Sequence, residues 1–168
     1  MRRPIDDKTA AYILEMQPHF ADLRQVAAQL AGVLLLAAVR SKSAASDRPT
    51  LEAAARLFAA TAAGVRSAAV TARARAHHRH LTQAAEAIGA AIESARHHLR
   101  RPRADIDPVL VALRAGHAHL QRASNQLPGF EMVAFEHACC AVQTRSPQST
   151  RRPQENLSLR SLRPPRLP

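Results

Sequence analysis

Residues 13–37 read ILEMQPHFADLRQVAAQLAGVLLLA. Within them Ile13, Met16, Phe20, Leu23, Ala27, Leu30, Leu34 and Ala37 recur at alternating steps of three and four. That spacing puts all eight on one face of an α-helix and is the pattern of a helix packed lengthwise on others. Asp6 and Asp7 stand just before the seam, and either side chain can cap a first turn. Pro18 lies inside it. Proline has no N–H and its ring crowds the preceding turn, so a kink or a fresh start is expected there.

Three further seams lie downstream. Residues 41–49 carry turn chemistry and no apolar anchor, so they are expected to form a loop, with a second helix opening at Asp47 or Thr50. Leu51, Ala55, Phe58, Ala62, Val65, Ala69, Ala72 and Ala76 form the second seam, and Leu81, Ala85, Ile88, Ile92, Ala95 and Leu99 the third. No Gly, Pro or Asn separates these two. The spacing predicts one long helix, about 75 Å, that changes its buried face or bends near residues 77–80. The row Ala60, Gly64, Ala68, Ala72, Ala76 has no bulky side chain and lets a neighbouring helix come close. After Pro102, Asp107-Pro108 reads as a cap followed by a first-turn proline. Ile106, Leu110, Leu113, His117, Leu120, Ser124 and Leu127 make the fourth seam. Pro128-Gly129 is a turn, and 130–141 fits a short last helix.

The expectation is an all-α antiparallel helical bundle: three main helices, the second long, and a short C-terminal helix. One domain is expected over 1–143. From 144 to 168 Ser, Arg, Pro and Gln dominate, and a segment of that composition cannot bury enough apolar surface to order itself, so a disordered basic tail is expected.

Composition agrees. The chain has 168 residues, aromatic content of 3% and five glycines, which argues against a sandwich or barrel. Its two cysteines are adjacent, which excludes a disulfide framework and fits a reducing cytoplasm. The longest apolar run, Val26 to Val39, spans about 21 Å as a helix, short of a roughly 30 Å hydrocarbon core. A core helix rather than a membrane span is therefore expected.

The net charge is +11, concentrated in 66–103 and 144–168. Basic stretches of this kind attract phosphates and other polyanions. The candidates in the helical stretch are Arg66, Arg73, Arg79, Arg96, Arg100, Arg101 and Arg103. No stacking aromatics accompany them, as a single-strand reader requires. The same Arg, Ala and Pro vocabulary, with only Lys8 and Lys42 as lysines, also arises from GC-rich coding without selection for binding.

Nine histidines suggest metal ligation. His77 and His80 are three apart, so a helix puts them on one face. His137, Cys139 and Cys140 combine imidazole with thiolates, a donor set suited to Zn or Cu(I). Against this, no Cys-x-x-Cys or Glu-x-x-His pair is present, and small thiols also pack like alanine. His117 on its seam is expected to be partly buried, and His119 to face solvent. No phosphate-cradling glycine loop, Gly-x-Ser-x-Gly or His-Glu-x-x-His occurs. The reading is a non-enzymatic interaction or scaffold protein without a cofactor. It self-associates through the long second helix or binds another helical protein. A His/Cys metal-binding bundle, with Zn as a candidate metal, and a basic helical protein that binds nucleic acid or another polyanion are the alternatives.

Overall fold

The computed structural model describes residues 4–39, 44–100 and 105–132. They form α1 (Asp7–Val39), α2 (Ala44–Ser67), α3 (Arg75–Arg100) and α4 (Asp107–Ser124), with no strand among the described residues. The protein is all-α, and one compact unit closes at Met132. The expected domain boundary at 143/144 and the residues 133–141 of the expected last helix lie outside the described residues; Phe130 to Met132 are not helical.

Asp6 caps α1. Its Oδ1 accepts the Thr9 N–H at 3.0 Å and its Oδ2 the Thr9 hydroxyl at 2.8 Å. The helix then runs on through Pro18, so of the kink or fresh start expected there the fresh start does not occur. Pro18 leaves the Leu14 carbonyl without its helical donor, but both residues are exposed, so water can take that place. The seam from Ile13 to Leu34 is buried, with Tyr12 and Val26 beside it.

The long second helix does not form. The chain breaks at Ala68–Ala74, upstream of the histidines, giving two helices where one was expected. The cause is Thr71. Its carbonyl accepts the Ala74 N–H at 3.1 Å and its Oγ1 accepts the same N–H at 3.2 Å. Its hydroxyl also meets the Thr9 hydroxyl at 3.0 Å. The Ala74 carbonyl then accepts the His78 N–H, starting α3. Ala69 and Ala72, expected on the second seam, are exposed in the break. At its other end α2 starts earlier than expected, at Ala44, and takes in Pro49.

Buried contacts fix how the helices meet. α1 packs on α2, α3 and α4, and α3 packs on α2 and α4. Between α1 and α2, Asp22 meets Thr61, and the His19 ring lies against Gly64 so closely that a Cβ there would run into it. Between α2 and α3, Arg96 pairs with Glu52 at 2.8 Å, and Phe58 covers Gly89. Between α3 and α4, a Cβ at Gly116 would stand 2.8 Å from Cγ1 of Ile88.

That last approach turns part of the buried face of α4: Val109, Gly116 and Ala123 are buried in place of Leu110, His117 and Ser124, while Leu120 and Leu127 are buried as expected. Ile106, Leu110 and Leu113 are partly buried, and His117 is exposed. Only glycine lets the backbones come this close, so Gly116 rather than His117 takes the interior place. The helix starts as read, with Pro108 in its first turn, but Ile106 holds the cap position, and Asp105 Oδ1 accepts the Asp107 N–H.

Taken whole, Asp7–Ala37 is long and apolar enough to cross a membrane. A core helix passes the same test, and Met16, Leu23, Val26 and Leu30 are fully buried here.

Candidate functional site

The one histidine fully removed from solvent among the described residues is His77, in the first turn of α3. Three elements enclose it. From α1, the Tyr12 hydroxyl lies 2.9 Å from Nδ1, with the two rings edge to face at 5.7 Å. From the segment after α4, Phe130 lies against the imidazole with ring centroids 4.1 Å apart. Phe130 in turn meets Phe20 edge to face at 5.4 Å. On α3 itself His78 approaches the Tyr12 hydroxyl at 3.4 Å.

Nε2 of His77 is buried with no hydrogen-bond partner. In a neutral imidazole one nitrogen carries the proton. If Nδ1–H donates to Tyr12, Nε2 is a bare lone pair; if Tyr12 donates to Nδ1, Nε2 is an unpaired N–H. Either tautomer leaves one mismatch, and protonation adds a charge to it. Burial accordingly pulls the His77 pKa down from 6.5 to about 4, with the neighbouring His78 and His80 adding to the shift. Burial also lowers His78, and raises the Tyr12 phenol, with Glu15 adding to the latter. The chemistry available is one switchable proton in an apolar socket, shared with the Tyr12 hydroxyl.

A second imidazole pair lies nearby. His80 and His119 stack at 5.8 Å, and each has a buried Nδ1 without a partner. His119, expected in solvent, is therefore half-buried, and its pKa is lowered by burial first and then by Arg122 and His80. His77 and His80 thus engage different partners. Among the described residues no group of three or more His, Cys, Asp or Glu is placed to hold a metal ion. His137, Cys139 and Cys140 lie outside the described residues.

Arg66, Arg79 and Arg100 are exposed, but Arg79 and Arg100 are about 30 Å apart along α3. Arg96 is paired with Glu52 and, at 2.6 Å, with Glu93. Arg73 donates to the Pro4 carbonyl at 2.6 Å. Arg101 and Arg103 lie outside the described residues.

Sequence reasoning took up His77 for its spacing to His80 and not as a core residue. One signal pointed the other way: His77 stands four residues before Leu81, on the same side of a helix, although the alternating spacing of the third seam itself steps back three, onto His78. No protein-family model, curated protein or solved structure matches this chain.

Proposed function

We propose that this chain is a non-enzymatic helical interaction module that pairs with a second copy of itself through the outer face of α1. Its working form is an antiparallel bundle held in the cytoplasm. The antiparallel arrangement is supported by the contact pairs: Asp22 with Thr61 and His19 with Gly64, Glu52 with Arg96 and Phe58 with Gly89, each rising along one helix as it falls along the next.

The observation that carries the pairing is the second half of α1. Leu35 is 66% and Leu36 41% exposed, and around Gly32 there is open space. Ala28 and Ala31 are exposed on the same stretch. No charged residue occurs from Gln25 to Val39. A chain of net charge +11 repels its own kind, and this is a stretch where two copies meet without opposing charges. Large exposed apolar side chains on a helix favour burial against a partner.

The small-residue row once assigned this role serves it less well. The break at Ala68–Ala74 cuts it, and His19 already occupies the space at Gly64.

The test compares the full chain with its Leu35→Glu/Leu36→Glu variant by sedimentation velocity at micromolar concentration. A dimer that becomes monomeric in the variant, with helicity unchanged, is expected. A monomeric wild type overturns the reading, as does apolar binding to neutral lipid vesicles in place of pairing. Nucleic-acid binding that weakens steeply with salt, without pairing, would favour the polyanion alternative instead.

A further inference from the structure

The geometry points to a device independent of that pairing: His77 is an acid-operated latch, whose neutral ring holds Phe130 and the Pro128–Met132 segment against α1 and whose protonation releases them. The segment is non-helical and forms the end of the compact unit. Met132 is partly buried against the core, and the other attachments among the described residues are these. Gln17 Nε2 donates to the Gly129 carbonyl at 3.0 Å, Arg24 Nη1 to the Glu131 carbonyl at 3.3 Å, and Phe130 inserts between His77 and Phe20. A short segment held this way opens at lower cost than a packed helix.

His77 sits where such an opening is easiest, in the first turn of α3 just after the Thr71 break. The ionisable groups around it offer no counter-charge at Nε2. From α1 come Tyr12, which bonds Nδ1, and Glu15, which acts on Tyr12. From α3 come His78 and His80, of its own sign when protonated. From the segment comes Glu131, which is exposed and accepts the Gly129 N–H through Oε1. An imidazolium keeps its Nδ1 bond to the Tyr12 oxygen but leaves a charged N–H unpaired at Nε2. Water reaches that atom once Phe130 withdraws. The shift from 6.5 to about 4 agrees with this direction.

The test is hydrogen exchange on the full chain at pH 7.5 and pH 4, corrected for the intrinsic pH dependence of exchange. Opening of the 127–132 amides is expected to rise on the order of a hundredfold, while the Leu81–Ala95 amides stay protected. His77→Phe keeps an apolar ring and cannot be protonated, so its 127–132 amides stay protected at pH 4. The proposal is overturned if the wild-type segment stays closed, if the variant opens equally, or if the whole chain loses protection together. Should His77→Phe fail to fold, an NMR titration of the wild type decides. The Phe130 ring signals should move with the His77 imidazole at one midpoint below 6.5; separate midpoints overturn the latch.

Discussion

At the residue scale, His77 makes stability depend on pH with a definite sign. The unfolded chain takes up this proton below about pH 6.5, whereas the folded chain refuses it until about pH 4. The stabilisation is complete above 6.5, falls as pH drops through that window, and is flat below it. The full difference is about 3 kcal/mol, and less where the latch yields first. A cation–π attraction to Phe130, about 1 kcal/mol, opposes it and does not reverse it. Urea unfolding of wild type and His77→Phe should therefore show a gap in free energy that changes between pH 7.5 and 4.5; a gap independent of pH contradicts the assignment.

Two glycines make an opposed pair at the same scale. Gly116→Ala puts a Cβ 2.8 Å from Ile88 Cγ1, an atom near the backbone of a fully buried residue. The overpacking cost of about 1–3 kcal/mol exceeds the helix-propensity gain of about 1 kcal/mol, so a net loss is expected. Gly32→Ala meets open space and should gain up to about 1 kcal/mol. Thermal melts followed by circular dichroism check both signs.

At the element scale, the decisive feature is the break between α2 and α3. Thr71→Val keeps the shape and removes the hydroxyl that bonds the Ala74 N–H and Thr9. A loss of about 1 kcal/mol is expected, read as a lower urea midpoint with unchanged slope. An unchanged midpoint would place the cause of the break elsewhere. The seams of α1 and α3 were legible because a three–four spacing of Ile, Leu, Phe and Met has one buried solution. The break was not, because its partner, Thr9, is 62 residues away and no Gly or Pro marks the site. On α4 Leu120 and Leu127 were legible, but Gly116 in place of His117 was not, because the close contact between Gly116 and Ile88 is made across two helices. At Pro18 the helix continues, since an exposed proline costs a hydrogen bond that water replaces. The site was the least legible part. A histidine taken up for its spacing to another does not read as core until its place four residues before Leu81 is weighed, and nothing in the sequence couples Tyr12 or Phe130 to it.

At the scale of the whole molecule, a chain of net charge +11 carries on the second half of α1 a partly exposed face without charged residues, and pairing through that face is the proposed function. Cysteine cross-linking tests it most directly. In a Cys139→Ser/Cys140→Ser background, Gly32→Cys places a thiol in the open space on α1, and Ala115→Cys places one on the exposed side of α4. With a short bismaleimide at micromolar protein, the Gly32→Cys chain should form a covalent dimer of twice 18.3 kDa and the Ala115→Cys chain should remain single. Equal cross-linking at both positions, or none at Gly32→Cys, would contradict it.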